Sequence, residues 1–163
     1  MMAGIALLAF VILQRLAELV YANANTKKLL AAGAVEHKAA HYGLIVAVHV
    51  TWLATLLWLA PGRPVFTVFL VVYLLLQVFR TWVFITLGRR WTTRIITVPG
   101  ETLIAKGPYK YFRHPNYLVV SGEIACLPLV FGLWEVAIIF SVLNAIALSI
   151  RIKAEEQALA PLR

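Results

Sequence analysis

Apolar residues in this chain come in long unbroken runs, without the two-residue or 3.6-residue alternation of a half-exposed element. Five runs approach the ~20 residues that carry a helix across a bilayer. They are Met2 to Tyr21, His41 to Ala60, Val65 to Leu87, Tyr117 to Leu133 and Glu135 to Ile150. The pattern predicts an all-α integral membrane protein of about five transmembrane helices, a single membrane domain over residues 1–163. Pro61-Gly62-Arg63-Pro64 reads as a tight turn between the second and third helices, and residues 131–135 as another between the fourth and fifth. Two connections, 22–40 and 88–116, are longer. Residues 1–64 therefore form a two-helix N-terminal part. Residues 65–163 form a core with a polar loop (88–117) and a tail (151–163) whose helix-forming residues continue the fifth helix.

Composition sharpens the class. A mean hydropathy of +0.85 with 13% charged residues departs from the roughly 25% charged content of soluble domains. Cys126, the single cysteine, lies in an apolar run, so no disulfide framework or cysteine metal site is expected. The N-terminal run carries Gln14, Arg15 and Glu18 and no small-residue cleavage site follows, so it reads as a helix that stays. A net charge of +8 would suit nucleic acid, but its distribution describes membrane topology. Lys27, Lys28, Lys38, Arg89, Arg90, Arg94, Lys106, Lys110, Arg113, Arg151, Lys153 and Arg163 fall on one side of a five-span chain, and Arg63 alone on the other. Lys and Arg favour the cytoplasmic side, which predicts the N-terminus outside and both long loops and the tail inside.

Ionisable groups within spans are costly and mark function or a locked bundle. Arg15 and Glu18 lie near the inner end of the first helix, and Gln77 and Arg80 near that of the third. Glu123 lies early in the fourth helix, Asn144 late in the fifth, and His49 in the second. At ~1.5 Å rise per residue they share a layer roughly 5–12 Å below the cytoplasmic surface. Two compatible readings follow. Ion pairs, Arg15 with Glu18 and Arg80 with Glu123, lock the bundle; or the layer floors a cavity, with Arg80 and Asn144 on a substrate and Glu123 in the chemistry.

Above this layer sits the stretch GPYKYFRHPNYL, residues 107–118. Pro115 suits the first turn of a helix, where its missing N–H costs nothing. His114 then takes the cap position, and the N–H groups of Asn116, Tyr117 and Leu118 are expected free for an anion. Tyr109, Tyr111 and Tyr117 supply aromatic faces for a cation or a purine. The loop thus offers what a zwitterionic nucleoside cofactor needs. Its basic residues alone would also suit anionic lipid heads. In the tail, Arg151 and Glu155 are four apart on one helical face, either as a surface pair or as a head-group clamp.

GPYKYFRHPNY, then two spans, then RIKAEE resembles the isoprenylcysteine carboxyl methyltransferase family and the related phospholipid methyltransferases, over residues 94–160. The resemblance implies an integral-membrane methyltransferase that uses S-adenosyl-L-methionine. It places the cofactor on a strand-like stretch Glu101, Thr102, Leu103 and Ile104, on Tyr109, on His114, Pro115, Asn116 and Tyr117, and on Glu155. It makes Arg151 the substrate-orienting arginine, and puts a further polar cofactor contact at Arg94, where the residue type departs from the family's. GRRWTTRIITVPG (88–100) looks most like a bacterial branch linked to O-methylation of long-chain alkylpyrones, which implies an inner-membrane location.

In-line displacement at a sulfonium needs no general base when the acceptor is a carboxylate or enolate. Positioning and exclusion of water are then the protein's task. A neutral hydroxyl acceptor would need a base, for which Glu123 and His114 are the candidates. The expected partner is a lipophilic or prenylated acceptor arriving from the bilayer, with membrane lipids around it and no nucleic acid. Two rivals stand: a sterol-reductase-like membrane reductase using NADPH, since such reductases carry a similar Arg-His-Pro-Asn-Tyr stretch, and a non-enzymatic bundle.

Overall fold

The computed structural model describes residues 2–37 and 42–160, with side chains from Gly4 onward. Lys38, His41 and Arg163, which enter the charge count or the start of the second predicted span, lie outside the described residues. The elements are α1 (Met2–Ala31), β1 (Val35–His37), α2 (Tyr42–Leu59), α3 (Thr67–Leu87), β2 (Ile95–Thr97), α4 (Pro115–Val130) and α5 (Trp134–Leu159), with single 3₁₀ turns at Gly88–Arg90 and Gly107–Lys110. Among the described residues, four helices are long and apolar enough to cross a membrane, and α4 is a shorter apolar helix of 16 residues. The chain is an all-α integral membrane protein.

Helix α4 sits at the centre. Val119, Glu123, Ile124, Cys126, Leu127 and Val130 are buried along it, so little of it meets lipid. Around it α1, α2, α3 and α5 turn large apolar side chains outward, among them Phe10, Leu13, Trp58, Val68, Ile85 and Ile138. That is the inside-out pattern expected where the solvent is hydrocarbon. The main core joins Val11, Trp52, Leu56, Tyr73, Leu127 and Phe131. A second, smaller cluster of Ala22, Val83, Trp91 and Val119 closes the bundle beneath the long loops.

The two predicted tight turns are present at one end of the bundle. Gly62 and Gly132 both take positive φ there, 81° and 67°, conformations glycine adopts without a Cβ penalty. Phe66 N–H donates to the Val130 carbonyl at 2.8 Å, tying the α2–α3 turn to the end of α4. Gly4 of α1 approaches Phe131, so the N-terminus lies at this end too. The long connections and the end of α5 occupy the other.

Three features depart from the sequence expectation. Helix α1 does not stop at Tyr21 but runs on to Ala31, so much of the first long connection is helix. A two-stranded antiparallel ribbon joins the two long connections, with Val35 opposite Thr97, Glu36 opposite Ile96 and His37 opposite Ile95. Residues 101–104 belong to no strand; a Pro99-Gly100 turn, with Gly100 at φ 78°, separates them from the ribbon. Helix α5, by contrast, continues through the tail as predicted.

Candidate active site

The long loops and the tail enclose a cavity of about 440 Å³, within the size range of small-molecule sites. Its walls come from four sequence regions: residues 90–92 and 94–98, residues 101–105, the loop running from Tyr109 into α4, and Arg151, Glu155 and Leu159 of α5, with Leu29 and Leu87 closing it. Apolar and charged side chains alternate around it, which suits a ligand with both characters.

One hydrogen-bonded chain runs along the cavity wall. The Nε of Arg151 donates to the Tyr117 hydroxyl at 2.8 Å, and that hydroxyl donates to the Glu155 carboxylate. The Nη2 of Arg151 donates to the Thr93 carbonyl at 2.8 Å. Arg151 and Glu155, four apart on α5, are thus joined through Tyr117 of α4 rather than to each other. The guanidinium also lies over the Tyr117 ring, 5.9 Å from its centroid. His114 stacks on the same ring at 5.4 Å. Its nitrogens stand 3.8 Å from Glu155 and 3.5 Å from Glu156, too long for strong hydrogen bonds. Burial, followed by the Glu155 charge, pushes the Tyr109 phenol above its ordinary pKa, so this cavity-wall hydroxyl stays neutral.

Helix α4 begins at Pro115 with His114 at the cap, as predicted, and His114 makes no side-chain cap bond. The expected trio of free amides is not there. The N–H groups of Tyr117 and Leu118 both turn back to the His114 carbonyl, at 3.1 and 3.3 Å. The tight first turn consumes them. Among the described residues, three buried polar atoms of the cavity wall stand without a hydrogen-bond partner instead: Asn116 Oδ1, Trp91 Nε1 and His114 Nε2.

Of the predicted site residues, the cavity brings together Glu101, Thr102, Leu103, Ile104, Tyr109, His114, Asn116, Tyr117, Arg151 and Glu155. Pro115 is buried behind them, shaping the turn. Arg80, Glu123 and Asn144 are not among the residues that line it. Glu123 accepts from Arg15 at 2.6 Å, Arg80 at 3.0 Å and Gln77 at 2.7 Å. Arg80 also donates from Nε to Glu18 at 2.6 Å and from Nη2 to the same carboxylate. Arg15 reaches Glu18 at 3.3 Å, and Gln14 bridges Glu18 and Gln77. Two arginines and two glutamates balance, and every carboxylate oxygen has a partner. Both predicted ion pairs are therefore present, as parts of one lock. Asn144, 2% exposed, donates to Ser121 at 3.4 Å between α5 and α4. His49 bonds its own helix at the Ile45 carbonyl. The lock meets the cavity at one point: the Arg80 guanidinium lies 5.6 Å over the ring of Trp91.

The profile of the isoprenylcysteine carboxyl methyltransferase (ICMT) family matches residues 68–161. The chain belongs to this family. It is accordingly a membrane methyltransferase. A Bacillus subtilis (strain 168) relative, the uncharacterized protein YpbQ, is 39% identical, with 94% of each chain covered. No solved structure matches the chain. The ICMT profile begins in α3, so α1, β1 and α2 lie outside it. Sequence reasoning also missed Arg90, Trp91, Thr93 and Thr97. Arg90 holds the 101–104 segment, through Glu101 and through the Thr102 carbonyl at 2.9 Å. In the sequence the charge of Arg90 speaks only to topology, and Thr93 acts through its carbonyl, which no side-chain pattern signals.

Proposed function

We propose that this ICMT-family protein transfers a methyl group from S-adenosyl-L-methionine to an oxygen, carboxylate or enol, of a lipid-tailed acceptor such as an isoprenylcysteine or a long-chain alkylpyrone. The observation that carries the acceptor assignment is the state of Arg151. Arg90 and Arg94 spend their charge on Glu101 and Glu36. Arg151, 8% exposed, bonds only a phenol oxygen and a carbonyl. A buried cation bonded to neutral oxygens favours an anionic guest, and a guanidinium fork matches a carboxylate or delocalised enolate.

The residues present suit the cofactor. Glu101 and Glu155 offer carboxylates to ribose hydroxyls or an ammonium group, Asn116 Oδ1 and Trp91 Nε1 are unpartnered polar atoms, and Tyr109 supplies an aromatic wall. S-adenosyl-L-methionine, when bound, supplies a methyl group already activated by its positive sulfur. The protein's own part is positioning. Arg151 would fix the acceptor oxygen, and Tyr117 and Glu155 would fix Arg151. The occupied oxygens of Glu123 suit an acceptor that needs no base; for a hydroxyl acceptor the base would be His114, which lines the cavity. The cofactor would enter from the cytoplasm and the acceptor from the bilayer of a bacterial inner membrane, with the N-terminus outside.

The test is thermal unfolding of the detergent-solubilised protein with S-adenosylhomocysteine or NADPH. S-adenosylhomocysteine at a hundredfold excess over its Kd should add about 2.7 kcal/mol and raise Tm by several degrees. Stabilisation by NADPH instead would point to the reductase, and by neither to a non-enzymatic bundle. Methyl transfer from labelled cofactor to a prenylated cysteine analogue, a long-chain alkylpyrone and a phosphatidylethanolamine then identifies the acceptor.

A further inference from the structure

The part of the chain outside the ICMT match touches residues 88–97, the segment that carries one cavity wall, at four successive points. At the start of the wall, the Nδ2 of Asn25, on the extension of α1, donates to the Gly88 carbonyl at 3.2 Å and the Trp91 carbonyl at 3.0 Å. Asn25 is 4% exposed, so these bonds are shielded from water. Next, the Tyr42 hydroxyl at the start of α2 donates to Thr93 Oγ1 at 3.3 Å. Beyond it, Arg94 donates to Glu36 at 2.6 Å and lies 5.5 Å over the Tyr42 ring. At the far end, His37 Nε2 and Thr97 Oγ1 stand 2.8 Å apart.

The ribbon register explains why the last two contacts act together. Side chains alternate between faces along a strand. With Glu36 opposite Ile96 and His37 opposite Ile95, Glu36 and Arg94 share one face, and His37 and Thr97 share the other. The ribbon is therefore pinned on both faces by diagonal pairs. A three-residue ribbon has too few backbone bonds to hold a register unaided, and a one-residue slip would move every side chain of the wall to the opposite face. The segment so held contains Thr93, whose carbonyl receives Arg151 Nη2 at 2.8 Å.

We infer that Asn25, Glu36, His37 and Tyr42 are positioning residues: the N-terminal part is a clamp that sets the height of the Thr93 carbonyl and, through it, the aim of the Arg151 guanidinium. That the clamp serves methyl transfer rests on the reading above; that it aims Arg151 does not. None of the four needs to touch a reacting atom. Displacement of a reacting group by an ångström lowers rates severely, so a wall of irregular backbone over a binding cavity benefits from rigid supports on its outer side. The clamp gives a physical role to the two-helix part that precedes the family's matched segment.

The experiment uses the full-length protein in detergent micelles, as wild type, Glu36→Gln, the double variant Glu36→Gln/His37→Ala, and the double variant Glu36→Gln/His37→Gln. Two quantities are read. The first is the Nε–Hε resonance of Arg151, with that of Arg80, which bonds Glu18 at 2.6 Å, as internal control. The second is calorimetric affinity for S-adenosylhomocysteine. The Arg151 resonance should shift and broaden in Glu36→Gln/His37→Ala while Arg80 stays fixed, and affinity should stay near wild type, because Arg151 faces the acceptor and not the cofactor. His37→Gln in place of His37→Ala keeps a side chain that can still reach Thr97 Oγ1, and should restore most of the wild-type resonance. Glu36→Gln alone keeps shape and volume and should show a smaller shift, which preserves the test if the alanine double variant does not fold. An Arg151 resonance unchanged while the amides of residues 92–98 move would overturn the clamp, because the ribbon would then be pinned for its own sake. If wild type itself does not bind S-adenosylhomocysteine, the cofactor reading fails, and the Arg151 resonance still decides the clamp.

Discussion

Arg151 concentrates the chemistry at the scale of single residues. Its Nε and Nη2 are both committed, in different directions, to Tyr117 and to Thr93. A lysine in its place keeps the charge but presents a point donor on a flexible stem, and cannot span both partners while also facing a guest. Arg151→Lys should therefore cut turnover of the preferred acceptor by about ten- to a hundredfold, the equivalent of losing one charge-assisted bond of ~1.5–3 kcal/mol. Affinity for S-adenosylhomocysteine should stay near wild type. Methyl-transfer kinetics beside calorimetry measure both, and wild-type turnover in Arg151→Lys would reduce Arg151 to an interfacial anchor. Arg151 and Glu155 were legible from their four-residue spacing, and His114 and Tyr117 from the loop that carries them. Tyr117 as the bridge between the two was not, because it joins α4 to α5 across more than thirty residues of sequence. That Glu123, Arg80 and Asn144 lie outside the cavity was not legible either. Polar residues at shared depth announce that they are satisfied together, but not whether by each other or by a ligand.

At the scale of elements, the decisive contact is between the Gly107–Lys110 turn and α3. Gly107 takes φ +56°, and a Cβ there would meet Thr86 Oγ1 at 2.5 Å; that hydroxyl is already bonded back to the Trp82 carbonyl at 2.8 Å. Gly100 has a similar φ of +78° with nothing within 4 Å. The pair separates two costs: Gly100→Ala carries only the left-handed backbone penalty of ~1–2 kcal/mol, while Gly107→Ala adds the clash and displaces the start of the cofactor loop. Thermal unfolding should show Gly107→Ala losing more Tm than Gly100→Ala, with each kcal/mol worth roughly 2–4 °C in a chain of this size. Equal losses would mean the turn yields freely. Apolar runs located the four long helices well because burial in hydrocarbon is what they record. They could not show α1 continuing to Ala31, since residues 22–31 are polar helix outside the apolar run. Nor could they show the ribbon, whose two three-residue strands lie some sixty positions apart, a pairing that no local pattern records.

For the molecule as a whole, the open variable is which way it faces. The structure gathers the cavity, the ribbon, both long connections and the end of α5 at one end of the bundle, and the N-terminus and both tight turns at the other. Among the described residues, ten Lys and Arg residues of the two long connections and the tail lie at the cavity end, and Arg63 lies at the turn end. Insertion is governed by the positive residues close to the spans, with acidic residues contributing little, so the ion pairs that Glu36 and Glu101 make do not reduce the bias. The cavity end is therefore expected in the cytoplasm, where a water-soluble nucleoside cofactor is available. Cysteines introduced one at a time at Arg63 and Lys106 would test this in intact cells with a membrane-impermeant maleimide. Cys126 adds little background, being 6% exposed and bonded to the Phe69 carbonyl. The Arg63 position should label from outside, and the Lys106 position only after permeabilisation. The reverse pattern would place the cavity outside the cell, away from any cytoplasmic cofactor, and would remove the methyl-transfer reading along with the topology.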